Sequence, residues 1–171
     1  MTPLNYNIRK ETENDAAAIH EVTRKAFAVA EHRSGTEQYI VRALRTNKQL
    51  TVSLVADLEG VIIGHVAISP VQLSSGEQGW YGLGPVSVLP EYQQQGIGSS
   101  LINAALAILE VLDANGCVVL GDPVYYQRFG FEVVADLAYP GVPPEYFQAL
   151  TFKGAAPSGT VAYDQAFEAT S

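Results

Sequence analysis

Residues Gly84–Leu101 read GPVSVLPEYQQQGIGSSL and hold the chain's densest set of groups suited to a ligand. A β-branched run through Val86, Ser87 and Val88 stops at Pro90, which cannot continue a strand ladder. The loop Gln93-Gln94-Gln95 leads to Gly96-Ile97-Gly98, and a helix follows whose first polar residues are Ser99 and Ser100. Strand, glycine-rich turn and helix N-terminus make an anion site. Unpaired N–H groups and the positive end of the helix dipole face the ligand, and glycine lets a phosphate reach the backbone. A P-loop needs a lysine beside its last glycine, and no lysine lies between Lys48 and Lys153. The dinucleotide fingerprint needs a third glycine at position 101, which is Leu101. What remains is Q-x-x-G-x-G, from Gln93 to Gly98.

The elements around this segment follow from periodicity and turn chemistry. Asn5–Lys10 reads as a first strand, and Asp15 as the N-cap of a helix carrying Ile19, Val22, Ala26 and Phe27 at helical spacing. A second helix spans Thr36–Thr46. Leu50–Leu58 and Val61–Ser69 read as a hairpin turning at Glu59-Gly60. Trp80–Leu89 is a long strand whose Gly82, Gly84 and Pro85 predict a bulge or a backbone that a ligand approaches. Leu101, Ile102, Ala105, Ile108, Leu109 and Leu112 make the apolar face of the strongest helix, stopped at Asn115-Gly116. Cys117–Leu120 reads as a buried central strand, Val124–Phe129 as a short helix, and Gly130–Val134, Phe147–Phe152 and Val161–Tyr163 as late strands. These elements predict one α+β domain over residues 1–171, built on a mixed sheet.

Composition narrows the function further. The chain has 171 residues, 47% hydrophobic and 16% charged, with 10 Lys+Arg against 18 Asp+Glu. A net charge of −8 argues against nucleic acid as the main partner, since that binding needs a basic footprint. The charge is unevenly placed: residues 1–48 are net +2 and residues 49–171 net −10. The acidic part favours a cationic substrate by its field. Cys117, the single cysteine, excludes an internal disulfide and a cysteine-based metal cluster, and reads as a small buried hydrophobe. No apolar run approaches the ~20 residues of a membrane span, and the N-terminus lacks the pattern of a signal peptide. A cytoplasmic protein with no metal, nucleic-acid or membrane partner is the expectation. His20 reads as a surface residue, and His65, mid-strand beside Gly64, as a packed histidine bonded to backbone.

The Q-x-x-G-x-G loop, the V-x-V-x-P strand before it and the later YYQRFGF together resemble the GNAT superfamily of N-acetyltransferases. The family's acetyl-CoA signature, Q/R-x-x-G-x-G/A, follows a strand of this form. The resemblance runs from Ile8-Arg9 through Gly130-Phe131. It is closest to small bacterial members with a late V-x-Y-x-x-A-F, here Val161–Phe167.

That resemblance implies a mostly antiparallel mixed sheet, splayed at the cofactor cleft and flanked by about four helices. It implies acetyl-CoA as acyl donor, a pantetheine arm along Val86, Ser87 and Val88, and a pyrophosphate held by Gln93, Gln94, Gln95, Gly96, Ile97, Gly98 and Ser99. Acetyl transfer to a primary amine of a small molecule or protein would be direct, in a ternary complex. A backbone N–H near Val86–Val88 would polarise the carbonyl, and Tyr126, four residues before Gly130, would protonate the leaving thiolate, with Tyr125 as its possible substitute. His32, between the first two helices and flanked by Glu31 and Glu37, is the candidate base. Trp80, Tyr81, Tyr92 and Tyr146 are candidates for an acceptor pocket. The oligomeric state stays open, a homodimer included. Two departures stand out: the neutral glutamine loop leaves the phosphate site to backbone dipoles, and Val119 stands where many members carry asparagine. The basic residues of the first 48 are then the compensating charge, if their helices fold over the cleft. A non-catalytic acyl-CoA-binding module is the alternative, and an interaction domain that has lost the cofactor site is the third reading.

Overall fold

The computed structural model describes residues 4–29 and 35–171. In chain order the elements are β1 Asn7–Lys10, α1 Ala16–Ala28, α2 Glu37–Thr46, β2 Val52–Leu58, β3 Val61–Leu73, β4 Trp80–Val88, α3 Ile97–Val111, β5 Gly116–Leu120, α4 Pro123–Tyr126, β6 Leu137–Ala138, β7 Phe147–Thr151 and β8 Gly159–Tyr163. The sheet runs β1-β2-β3-β4-β5-β7, with β8 on β3 and β6 on β8. β4–β5 and β6–β8 are parallel and the other pairs antiparallel, so the α+β, mostly antiparallel architecture with four helices is the one observed.

The β2–β3 hairpin turns where expected. Glu59 and Gly60 have φ of 50° and 92°, the left-handed pair that a tight two-residue hairpin requires. β3 runs four residues past the expected end at Ser69. Its pairing with β2 stops at Ile68 and pairing with β8 starts at Val71, so the missing N–H of Pro70 falls at the changeover. The expected strand at Gly130–Val134 is not formed. Gly130 is left-handed at φ 98° and ends a 3-10 turn, after which only Glu132 bridges to Ala149. Asp15 precedes α1 but does not cap it: its carboxylate takes the Thr12 N–H at 2.7 Å and the Arg9 guanidinium at 2.8 and 3.1 Å. The Arg9 hydrogen bond outweighs burial and holds that carboxyl well below the usual range.

Two cores form on opposite faces. α3 buries Leu101, Ile102, Ala105 and Leu109 against Leu54, Val66, Leu83, Cys117 and Val119. Each fully buried leucine or isoleucine there contributes roughly 2 kcal/mol. Away from α3, Trp80, Val71, Leu73 and Val118 pack with Phe147, Ala149 and Val161 from the late strands. Trp80 is therefore core, 2% exposed, rather than the wall of an acceptor pocket. Among the described residues no helix is long and apolar enough to cross a membrane.

His65 differs from expectation. Its Nε2 lies 2.8 Å from Ser53 Oγ instead of on backbone, and Ser53 donates to the Glu11 carboxylate. Arg45 of α2 grips that carboxylate with two bonds of 2.8 Å. Burial opposes the Glu11 charge, but the Arg45 and Ser53 hydrogen bonds prevail and keep its carboxyl below the ordinary value. Ser53 therefore donates to Glu11, accepts from His65 Nε2–H, and leaves Nδ1 as a buried lone pair.

Burial pushes the His65 imidazole down to about 4 from an ordinary 6.5. Between those values the unfolded chain takes up a proton that the folded chain refuses, so stability falls as pH drops through the window. In full, below pH 4, the loss is about 3 kcal/mol. Chemical denaturation of the wild type and His65→Gln should show a stability gap at pH 7 that narrows toward pH 4. A gap independent of pH would contradict this account.

Candidate active site

The site begins where two strands part. β4 pairs with β5 from Trp80–Gly116 to Leu83–Val119 and no further, while β4 continues to Val88 beside β3 alone. Between Leu83 and Val86, Gly84 and Pro85 stand against the single Ala67 of β3, a two-against-one bulge. The predicted bulge is thus in place. The N–H of Leu89 bonds Ile63 of β3 at 2.9 Å. Alternation along the strand then turns the backbone groups of Val86 and Val88 to the open side. The Val88 carbonyl there accepts Gln93 Nε2 at 3.0 Å.

The open edge leads to the N-terminus of α3. Gly96 occupies the N-cap position at φ 82°, a left-handed conformation that disfavours other residues and brings the chain into the helix with no side chain in the way. The N–H groups of the first turn have no intrahelical partner and face a cavity of about 430 Å³. Val88, Gln93, Gln94, Gly96, Ile97, Gly98 and Ser99 line it, seven of the ten residues assigned to the cofactor from the sequence. Val86 lies on the open edge instead. Ser87 turns its side chain to the opposite face, where it is buried 3.4 Å from Thr23 Oγ1. Gln95 is exposed beside the loop. His32 and Glu31 lie outside the described residues.

A cation completes the cavity. Arg128 lines it and stacks on Tyr125, its guanidinium carbon 4.5 Å from the ring centroid, and the Tyr125 hydroxyl lies 3.2 Å from Ser99 Oγ. The site therefore does not rest on backbone dipoles alone. Nor do Arg9, Arg24 and Arg45 supply the charge. Arg9 pairs with Asp15 and Asp57, Arg24 with Glu21, and Arg45 with Glu11, and among the described residues none of them lines this cavity. In YYQRFGF the arginine, and not only the tyrosines, reaches the site.

Tyr126 sits beside the parted strands. Its ring lies on Gly121, where a Cβ would come within 2.4 Å of Cε2. Tyr125 meets it edge-on at 5.0 Å, and Phe131 at 6.0 Å. Burial, with Tyr125 and Cys117 nearby, pushes the phenol up to about 12, so it stays protonated across the working range. Asp122 caps α4 by accepting the Val124 N–H at 2.9 Å. Among the described residues no group of three or more His, Cys, Asp or Glu is placed to hold a metal. Gly82 was expected to bare the strand to a ligand, but it seats the ring of Tyr163 from β8.

The candidate site is thus a sheet opened between two parallel strands above a helix N-terminus, with a neutral phenol at the opening. Residues 49–133 match the family model for an acetyltransferase (GNAT) domain. The chain is 39% identical over 129 residues to the uncharacterized N-acetyltransferase YhbS of Escherichia coli K12, covering 75% of this chain and 74% of YhbS. The crystal structure of a GNAT family acetyltransferase from Brucella melitensis in complex with acetyl-CoA is 48% identical, with TM-score 0.86 over 96% of this chain and 99% of that one. The crystal structure of E. coli YhbS in complex with CoA is 34% identical, with TM-score 0.88 over 100% of this chain and 96% of that one. The chain belongs to the GNAT family of N-acetyltransferases.

Because a Cβ at Gly121 overlaps the Tyr126 ring, Gly121→Ala should dislodge it. A weaker near-ultraviolet tyrosine signal and a lower melting temperature are expected, and unchanged values would show that the ring has another seat.

Proposed function

We propose that the protein moves an acetyl group from acetyl-CoA directly to a primary amine of a small molecule or protein, within a ternary complex. The observation that carries this reading is continuity. The unpaired edge of β4 runs from the opening at Leu83 straight to the α3 N-terminal cavity, so one extended ligand can use both. The residues present fit such a ligand. The first-turn N–H groups of α3, with Gly96 and Gly98 keeping the approach open and Arg128 adding positive charge, would hold the pyrophosphate. Val86 and Val88 would pair with the pantetheine amides as a neighbouring strand does. The backbone N–H of Val86, on the open edge, would face the developing oxyanion.

Bound acetyl-CoA supplies an activated acyl group, and the protein positions it. The amine nitrogen attacks the carbonyl carbon, the C–S bond breaks, and sulfur departs with the electron pair. Tyr126 meets that sulfur as a neutral donor. A phenol near 12 is a weaker acid than a thiol at ~8.5. Tyr126 thus stabilises the thiolate by hydrogen bonding and keeps its own proton, which refines its role as a proton donor.

Calorimetry should show acetyl-CoA binding that Gly98→Asp abolishes without unfolding the protein, because an acidic residue there suits the helix dipole but repels phosphate. Arg128→Gln should weaken binding several-fold and flatten its dependence on salt. No binding at millimolar acetyl-CoA would overturn the reading. Tyr126→Phe should lower kcat by about 10²-fold with acetyl-CoA affinity within twofold, and the wild-type rate should show no alkaline loss from Tyr126 below about pH 11. Thioester consumption across a panel of amines is the readout. Binding without consumption would leave a non-catalytic acyl-CoA module.

A further inference from the structure

The opening between β4 and β5 has two faces, and Tyr126 occupies one. Leu83, Cys117 and Val119 pack toward α3, so alternation turns Gly82 and Val118 to the other face, where Val118 joins the second core. The Tyr163 ring lies there. A Cβ on Gly82 would come within 2.4 Å of Tyr163 Cε1 and 3.0 Å of Cδ1, so the ring rests on β4 itself. Gly82 is one residue short of the last β4–β5 pair, Leu83–Val119. Tyr163 therefore sits at the point where the strands part, across the sheet from Tyr126.

Its surroundings hold it firmly. Tyr139 and Phe167 pack on the ring at centroid distances of 5.3 and 4.8 Å. Ser69, directly opposite Gly82 on β3, buries an Oγ that lacks a partner. Among the described residues no hydrogen bond reaches the Tyr163 hydroxyl either. Burial, with Cys117, Tyr139 and Tyr126 nearby, raises its pKa well above 10, so the phenol is a permanent donor. Tyr163 is half-buried rather than sealed in, so a ligand acceptor can reach this unpaired hydroxyl.

The ligand acceptor follows from length. Leu83 lies five residues, about 17 Å, back along β4 from Val88. An extended pantetheine arm anchored at Gly96–Ser99 and lying on that edge delivers its thioester to the opening. An acyl carbonyl there develops negative charge and needs more than one donor. Val86 N–H supplies one, and Pro85 beside it has none to give.

We propose that Tyr163 donates a hydrogen bond to the acetyl carbonyl oxygen, completing an oxyanion site with the backbone of Val86. The inference rests on the acetyl-CoA reading above. As the N–C bond forms, the carbonyl π pair moves onto oxygen, between Val86 N–H and Tyr163 O–H. It returns as the C–S bond breaks and sulfur takes its pair, facing Tyr126. The nitrogen loses its proton to water, and Tyr163 keeps its own.

The test is Tyr163→Phe, which retains the ring on Gly82 and removes only the hydroxyl. With acetyl-CoA carrying ¹³C at the carbonyl, the bound resonance should lie downfield of free acetyl-CoA in the wild type and move upfield in the variant. Acetyl-CoA affinity and melting temperature should be unchanged, and kcat should fall about 10²-fold. An unshifted carbonyl in the bound variant overturns the proposal, as does a loss of kcat matched by equal losses of affinity and melting temperature. A wild type that binds no acetyl-CoA removes the earlier reading and this one with it, so the two failures are distinguishable.

Discussion

The structure depends on hydrogen bonds that β4 and β5 do not make. Four residue pairs hold the strands together, from Trp80–Gly116 to Leu83–Val119, and then the sheet opens. An unpaired strand edge inside a folded protein is a liability, because its N–H and C=O groups seek partners. Here the edge is kept by neighbours that hold the two strands apart. The Gly84-Pro85 bulge bends β4 away, α3 packs against one face, and β7 fixes β5 from its far side. Each group of the proposed site then takes its place from the opening. Val86 and Val88 face into it, Tyr126 stands on one side, and the α3 N-terminus lies at its end.

Charge is arranged on the same plan. The acidic chain meets a polyanion through a small local exception: backbone dipoles, one arginine and no carboxylate among the cavity-lining residues. Stacking on Tyr125 orients the Arg128 guanidinium at little entropic cost, and Tyr125 is itself tied to Ser99 at the helix start. The cation is thereby fixed to the element whose dipole it reinforces. Arg9 and Arg45 serve a different end, binding β1, α2 and the sheet edge to one another through Asp15, Asp57 and Glu11.

Much of this was legible in the sequence because local rules govern it. Q-x-x-G-x-G, following its strand, reads as a glycine turn into a helix start, and Gly96 is the left-handed cap. Glu59-Gly60 specifies a hairpin, and Gly84-Pro85 an irregular strand. What escaped was tertiary. Gly82 reads as openness to a ligand until β8 lays Tyr163 upon it, 81 residues further along the chain. Nothing local to Gly121 signals that its lack of a side chain is what seats Tyr126. Gly130–Val134 has the composition of a strand but finds a pairing partner only at Glu132. His65 gave no sign of Ser53 and Glu11, because strand register and the docking of α2 bring them together.

The contact between Gly82 and Tyr163 also makes two distant positions one heritable unit. A side chain at 82 and an aromatic ring at 163 compete for the same volume, so neither can change freely while the other stays. Any relative that carries alanine or larger at the first position must have surrendered the ring at the second or moved it. That face of the opening would then be furnished by different atoms, so that this pair of letters sorts such relatives by the lining of that face.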